Sequence, residues 1–259
     1  MTVYVVDGLF DVENAEFGGR ASVGLASGEA CALEDGINHG QFVAGLVGGR
    51  HTGVAKQAKI VSVGSSYGCE GGTANPTEAQ LTARIVRALN WVARNAHRPA
   101  VVNLSLNADA PAPEITAAVK RLIGTGLTVV ASAGNDGDDA CKHPPAGLPL
   151  VITAAASTET DQDAGLNHGR CVDLFAPGEG VTSVVDKVLS PSRLATSDVA
   201  ATSWAAPLVS GAAALYLSVH PAASPAEVRA WLLDNATKAA LRGNLHGSPN
   251  RLLFTGGPL

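Results

Sequence analysis

The stretch SWAAPLVSGAAALYLSV, residues 203–219, is apolar on almost every face that an α-helix would present. A helix of this kind is normally buried on all sides. It is shorter than the roughly 20 residues needed to span a bilayer, and Pro207, Ser210 and Gly211 interrupt it. The stretch therefore predicts a helix that lies inside the molecule with other layers packed around it.

Predicted strands and helices alternate along most of the chain. Short runs rich in β-branched residues predict strands, whereas apolar residues spaced three and four apart predict helices. The predicted strands cover residues 3–6, 59–63, 100–106, 127–131, 150–156 and 172–175. The predicted helices cover residues 76–95, 114–123, 203–219 and 224–235. This alternation is typical of an α/β protein, with three α/β/α layers and a mostly parallel central sheet.

The composition excludes several classes of protein. Of the 259 residues, 46% are hydrophobic and 16% are charged, so the chain can bury a sizeable core and is not disordered. The formal net charge is −5 and the basic residues are scattered, so we expect no nucleic-acid partner. We also expect no membrane partner. No repeat or linker divides the sequence, which predicts one domain over residues 1–259.

Three short segments combine reactive side chains with glycine or proline in apolar surroundings, and they contain Asp7, His39 and Ser203. A serine hydroxyl can attack an amide when a base takes its proton. A carboxylate must hold that base in the right tautomer and stabilise the imidazolium. Ser203 also opens the apolar helix, where backbone N–H groups and the helix dipole favour a developing negative charge. Asn135, after a predicted strand, is the candidate for a second oxyanion donor.

Each of these residues has a plainer interpretation when it is taken alone. Ser203 could cap a helix, Asp7 and Asn135 could be turn residues, and His39 could be a loop histidine. Their joint occurrence in the order Asp, His, Ser favours catalysis. The order Asp, His, Ser argues against an α/β-hydrolase, and the sequence lacks the eight strand–helix units of a TIM barrel.

Several longer motifs carry a resemblance to one family. They are NHGQFVAGLVGG, GVAKQAKIVSV, VVNLSL, VVASAGN, CVDLFAPGEGV, ATSWAAPLVSGAAALYL and SPNRLLFTG. In these motifs the chain resembles the subtilisin-like serine proteases, or subtilases, of the proteinase K-like branch. The resemblance implies a subtilisin-like fold, with Asp7, His39 and Ser203 as the catalytic triad and Asn135 in the oxyanion hole.

The resemblance also implies a serine endopeptidase that hydrolyses peptide bonds through an acyl-enzyme intermediate. Its substrate would be a protein or peptide that binds as an extended strand between two exposed edges. The residues expected to bind it are Ser105, Leu106, Asn107, Gly71, Gly72, Ala133 and Gly134. The further expectations are a secreted, extracellular monomer, and a prosegment or proteinaceous inhibitor as a partner.

A structural calcium ion is the only cofactor that the resemblance suggests, and no organic cofactor is expected. The implied ligands are the carboxylate of Asp173 and the backbone oxygens of Pro149 and Val151. Carboxylate and carbonyl oxygens are the donors that calcium prefers. Asp173 could instead cap or pair locally.

The four cysteines leave several pairings open when they are considered without the family. Three arrangements of two disulfides are possible, and buried thiols of an intracellular enzyme are another interpretation. The resemblance implies one disulfide between Cys141 and Cys171 and a second between Cys31 and Cys69.

The sequence also departs from the pattern of the family. Asn107-Ala108 stands where members usually carry Gly-Gly, Phe42 and Leu208 each replace a histidine, and Ala201 replaces a glycine before the nucleophile. An alanine at that position would be strained by about 1–3 kcal/mol if it needed a glycine-like backbone. The first predicted strand also begins nearer to the start of the chain than is usual in the family, which predicts a shortened N-terminus.

Because of the substitutions near the candidate site, the alternative function is a weak or inactive subtilase-fold protein that acts as a protein-binding module.

Overall fold

The computed structural model describes residues 1–27, 37–65, 77–108, 111–186 and 193–256. Within these residues a nine-stranded sheet has the strand order β10-β11-β7-β6-β5-β4-β1-β3-β2. Its strands are β1 (Thr2–Asp7), β2 (Ala21–Leu25), β3 (Lys59–Gly64), β4 (Ala100–Leu104), β5 (Thr128–Ser132), β6 (Val151–Ser157), β7 (Leu174–Pro177), β10 (Thr237–Lys238) and β11 (Arg251–Leu252). Strands β8 (Thr182–Val184) and β9 (Leu194–Thr196) form a separate hairpin. Neighbouring strands of the large sheet are parallel except β10 and β11.

Five helices cover the sheet within the described residues. They are α1 (His39–Gly48), α2 (Glu78–Asn95), α3 (Pro113–Gly124), α4 (Thr202–Val219) and α5 (Pro225–Asn235). Side chains of β1 show how the layers divide, because successive strand residues point to opposite faces. Val3 and Val5 pack in the cluster that contains α1, α4 and α5, whereas Tyr4 and Val6 pack with α2 and α3. The predicted three-layer α/β/α architecture with a mostly parallel sheet is confirmed.

Helix α4 lies in the core as its sequence predicts. Thirteen of its 18 residues are buried, among them Trp204 and Ala213. The helix begins at Thr202, one residue before the predicted start. Helix α5, predicted over residues 224–235, begins with a capping box in which Ser224 and Glu227 exchange hydrogen bonds. Among the described residues, no helix has the length and apolar character needed to cross a membrane.

Several elements were missed or misplaced by the sequence patterns. Helix α1 was not predicted because it is only ten residues long, contains three glycines and shows neither a long apolar run nor a polar face. The sequence patterns also missed five short strands of two to five residues, which are too short for a clear alternation: β2, β8, β9, β10 and β11. Strand β4 ends at Leu104 rather than residue 106, since residues 105–107 leave the sheet to form part of the site described below.

The cysteine pairing can be described for one of the two predicted disulfides. Cys141 and Cys171 form a disulfide with Cα atoms 5.2 Å apart. This bond ties the loop after β5 to the loop before β7. Cys31 and Cys69, the second predicted pair, lie outside the described residues.

Gly40 allows the first turn of α1 to approach the end of β1. A Cβ at this position would lie 2.2 Å from the backbone oxygen of Gly8. A real side chain cannot occupy that distance, and the atom that it meets is backbone that cannot rotate away. The position of His39 beside β1 therefore depends on a glycine as its neighbour.

We expect Gly40→Ala to destabilise the fold by about 1–3 kcal/mol, because overpacking forces the backbone to shift. The matched control is Gly124→Ala at the end of α3, where an added Cβ has no atom within 4 Å. That change should stabilise the protein by up to about 1 kcal/mol, since alanine loses less backbone entropy than glycine. Urea unfolding of both variants measures the difference. Equal free energies of unfolding would contradict the proposed close approach.

Candidate active site

Asp7 and His39 form a buried pair at the carboxyl end of β1. Asp7 is the last residue of β1, and His39 is the first residue of α1, whose N-cap is Asn38. One carboxylate oxygen of Asp7, Oδ1, lies 2.8 Å from Nδ1 of His39 and accepts a second hydrogen bond from the Gly8 N–H at 2.7 Å. The Asp7 side chain is inaccessible and His39 is 6% exposed. A proton on Nδ1 donates to the carboxylate, so the lone pair of the neutral ring lies on Nε2.

Ser203 is the second residue of α4 and is 6% exposed. Its hydroxyl oxygen lies 3.5 Å from the backbone oxygen of Ser105. Trp204, the next residue, places its ring centroid 5.2 Å from that of His39. The nucleophile candidate and the histidine are therefore brought to the same place by α4 and α1.

Pro207 determines how the start of α4 is held. In an α-helix the carbonyl of Ser203 would accept a hydrogen bond from the N–H of residue 207, but proline has none. The Ser105 hydroxyl donates to this carbonyl at 2.9 Å instead. Pro207 is the sixth residue of α4, so its missing N–H falls inside the helix. Its missing donor is replaced from outside the helix.

The Ser105 hydroxyl belongs to a buried chain of hydrogen bonds between β4 and α4. Ser210 Oγ donates to Asn103 Oδ1 at 2.8 Å, and Asn103 Nδ2 donates to Ser105 Oγ at 3.0 Å. All three side chains are inaccessible to solvent. Buried polar groups of this kind are costly unless each has a partner, so the chain specifies one position of α4 on the sheet.

Asn135 is oriented by Thr202, a residue that the sequence analysis did not assign. The amide oxygen of Asn135 accepts hydrogen bonds from the Thr202 backbone N–H at 2.9 Å and from the Thr202 hydroxyl at 2.8 Å. These bonds leave the Nδ2 amino group as the end of the amide that can donate to a substrate oxygen. The preceding residue, Gly134, has φ +106°, and a Cβ there would meet Asn167 at 2.1 Å. Glycine is therefore required beside Asn135.

Trp204 is a second residue that the sequence analysis left without a role. It stands where the family motif has methionine, is 1% exposed, and packs on Phe42 with ring centroids 4.5 Å apart. Its indole N–H donates to the backbone oxygen of Val199 at 3.0 Å. Trp204 thus fills the space between the catalytic histidine candidate and the apolar Phe42 that replaces a polar residue of the family.

The backbone strain expected at Ala201 is absent. Ala201 has φ −150° and ψ 140°, which is extended backbone that any L-residue adopts. Ala201, two residues before Ser203, is the N-cap of α4 in the β region, so this position needs no glycine conformation.

A cavity of about 770 Å³ lies beside Asn135. Among the predicted substrate-binding residues, Asn107 and Gly134 line it. Ser105, Leu106 and Ala133 are buried beneath the surface instead. Gly71 and Gly72, predicted for the opposite edge, lie outside the described residues.

The acidic loop after Asn135 surrounds His143, which is 7% exposed. Its ring nitrogens lie 3.4 Å from Asp136 and 3.7 Å from Asp138. The N–H of Asp139, and then the ammonium of Lys142, stabilise the charged carboxylate and hold the pKa of Asp138 below its usual value. Asp138 and Lys142 form an exposed ion pair, and the buried ring of His143 lies beneath them.

The arrangement around Asp173 does not fit the predicted calcium ion. The Asp173 carboxylate forms a salt bridge with Arg229 through Oδ1, while Oδ2 accepts a hydrogen bond from the Thr153 N–H at 2.9 Å. A cation held there, with backbone oxygens of Pro149 and Val151, would face the guanidinium charge. Among the described residues, no group of three or more His, Cys, Asp or Glu side chains could hold a metal. Asp173 is paired locally instead.

The role of Ser105 predicts the effect of removing its hydroxyl. We expect Ser105→Ala to lower the free energy of unfolding by roughly 1–3 kcal/mol, because the buried Ser203 carbonyl would lose its donor. Ser218→Ala is the control, since it removes an exposed hydroxyl that bonds within the same helix. The control should stay within about 0.5 kcal/mol of the parent in urea unfolding. An equally small effect at Ser105 would contradict the assigned role.

The sequence is similar to those of known serine proteinases. The sequence model of the Subtilase family matches residues 26–251. The chain is 40% identical over 254 residues to an extracellular serine proteinase of Thermus sp., covering 97% of this chain and 59% of that protein. It is 33% identical over 258 residues to alkaline serine exoprotease A of Vibrio alginolyticus, covering 98% of this chain and 45% of that protein.

The fold is similar to that of a solved protein as well. A crystal structure of a cold adapted subtilisin-like serine proteinase matches with a TM-score of 0.85 and 32% identity. The match covers 99% of this chain and 89% of that one. The chain spans about half the length of the two curated relatives described above. Since the family model and the fold both extend over most of the sequence, the chain belongs to the subtilase family.

Proposed function

We propose that this chain is the peptidase domain of a serine endopeptidase that cleaves peptide bonds in protein or peptide substrates. The observation that carries the proposal is the buried hydrogen bond of 2.8 Å between Asp7 and His39, next to the start of α4. An inaccessible carboxylate paired with a histidine is costly to bury, and its chemical use is to orient a base. One site built from β1, α1, β5 and α4 supports a single domain.

In the first half of the proposed reaction, Ser203 Oγ attacks the carbonyl carbon of the scissile bond. Its proton passes to Nε2 of His39, and Asp7 stabilises the resulting imidazolium. The carbonyl oxygen becomes negative and accepts hydrogen bonds from Asn135 Nδ2 and the Ser203 backbone N–H. His39 then gives its proton to the leaving amine as the C–N bond breaks, which leaves an ester on Ser203.

In the second half, a water molecule takes the place of the departed amine and attacks the acyl carbon. His39 takes a proton from the water while its oxygen bonds to the carbonyl carbon. The same two donors hold the oxyanion. The ester C–O bond then breaks, Ser203 recovers its proton from His39, and the carboxylic acid product leaves.

Two features favour turnover over the alternative of a protein-binding module. Ala201, two residues before Ser203, has a relaxed extended backbone, so it does not distort the position of the proposed nucleophile. Asn135 is held by Thr202 before any substrate arrives, and such preorganised donors are the largest single source of stabilisation in acyl transfer. A module that only binds peptides would need neither feature.

The surroundings of the proposed enzyme follow from its family. Subtilases need no organic cofactor, and every step above uses side chains or backbone of this chain. We leave calcium out of the proposal because Arg229 already pairs with Asp173. An extracellular location is proposed on the basis of the Thermus relative, which is named as an extracellular proteinase.

Covalent labelling tests the nucleophile directly. A fluorophosphonate should add one label to the folded protein, and peptide mass spectrometry should locate it on Ser203. Ser203→Ala should lose the label and nearly all hydrolysis of a casein or peptide substrate, whereas Ser218→Ala should keep both. Stoichiometric label on another residue, or undiminished hydrolysis by Ser203→Ala, would refute the proposed mechanism.

Asn135→Ala tests the oxyanion donor. We expect kcat to fall about 100- to 1000-fold, the general cost of one lost donor, for which a subtilisin is the reference case. KM should change little, because the donor acts in the transition state rather than in binding. Asn95→Ala removes an exposed helical asparagine and should leave both constants unchanged. A KM effect without a kcat effect would move Asn135 from the oxyanion hole to substrate binding.

A further inference from the structure

The side chain of Asn107 connects two walls of the cavity beside Asn135. Its amide Nδ2 donates to the backbone oxygen of Ser132 at 2.8 Å and to that of His143 at 3.2 Å. The Ser132 hydroxyl donates back to Asn107 Oδ1 at 2.7 Å. Asn107 follows β4 and Ser132 ends β5, so the side chain reaches from the end of one strand to the end of its neighbour.

These contacts hold the amide firmly in a half-buried position. Moving the side chain aside would break three hydrogen bonds and leave two backbone oxygens without this donor. Losing a partner for a polar group that stays buried costs roughly 1–3 kcal/mol. The Asn107 side chain is therefore part of the cavity wall and does not yield easily to a ligand.

The position of the reacting carbonyl places the neighbouring substrate side chain at this wall. An oxyanion that bonds Asn135 Nδ2 lies within about 3 Å of that nitrogen. The substrate residue whose carbonyl is attacked is called P1. Its side chain is attached to the Cα atom, which is bonded directly to that carbonyl carbon. It must enter the part of the cavity nearest Asn135, which Asn107 and Gly134 also line.

We infer that Asn107 is a specificity-determining residue that limits the P1 residue to small side chains, namely glycine, alanine or serine. The inference rests on the proposed peptidase function and deepens it by naming a substrate class. The cavity as a whole is larger, but the Asn107 amide occupies the gap between the ends of β4 and β5 beside Asn135. A leucine or phenylalanine side chain at P1 that entered this gap would have to displace the amide.

Two variants at adjacent positions separate the bridge from general enlargement of the cavity. Asn107→Gly removes the bridge and all three hydrogen bonds. Ala108→Gly removes a Cβ from the next residue along the same wall, where the side chain has no polar group. Only the first variant should change the size preference at P1.

The experiment compares kcat/KM for peptides that differ only in having alanine or phenylalanine at P1. The parent should prefer alanine by about tenfold or more, within the range that a pocket of fixed size can discriminate. Asn107→Gly should raise kcat/KM for the phenylalanine peptide by about tenfold and change the alanine peptide less than threefold. Ala108→Gly should keep the parent ratio.

The same comparison in the Ser203→Ala background uses peptide Kd and does not depend on turnover. A parent that cleaves or binds the phenylalanine peptide as well as the alanine peptide overturns the inference, whatever the variants do. An unchanged ratio in folded Asn107→Gly also overturns it. If the Kd ratios follow the prediction while Ser203 is neither labelled nor catalytic, the inference stands and the peptidase proposal fails.

Discussion

The site depends on one hydrogen bond, which the Ser105 hydroxyl donates to the Ser203 carbonyl across the gap left by Pro207. A proline inside a helix normally costs a hydrogen bond and about 3 kcal/mol. Here the missing donor comes from the segment after β4, so the helix end that carries Ser203, the proposed nucleophile, is held against the sheet. Asn103 and Ser210 extend the same connection through a buried chain of hydrogen bonds.

The parallel sheet explains why the remaining groups meet at that helix end. Strands β5, β4 and β1 are neighbours, and the carboxyl ends of parallel strands lie on one edge. Asp7 ends β1, Asn107 lies just after β4 and Asn135 lies just after β5. All three residues are therefore at the edge of the sheet where α4 begins with Ser203. Each group then receives a fixed partner: His39 for Asp7, Thr202 for Asn135 and Ser132 for Asn107. Their orientation is set before a substrate binds.

Sequence patterns predicted the long elements well and the packed contacts poorly. Helix α4 and the central strands were predictable because their long or β-branched apolar runs reflect burial. Helix α1 was not, since it is only ten residues long and contains three glycines, and the roles of Thr202 and Trp204 depend on residues far away in the chain. Whether Ala201 is strained could not be read from the sequence for a related reason, and its backbone is relaxed. Backbone dihedral angles depend on the surrounding structure as well as on residue type.

The family, the α/β layering and the proposal of Asp7, His39, Ser203 and Asn135 as site residues followed from the sequence alone, because motif order and apolar patterning are local properties of the chain. Only the tertiary structure decided what those residues touch. It paired Asp173 with Arg229, where the sequence had suggested calcium, and it turned Asn107 into a bridge between two strands. Such contacts join residues distant in sequence, and their distances arise only when the layers pack.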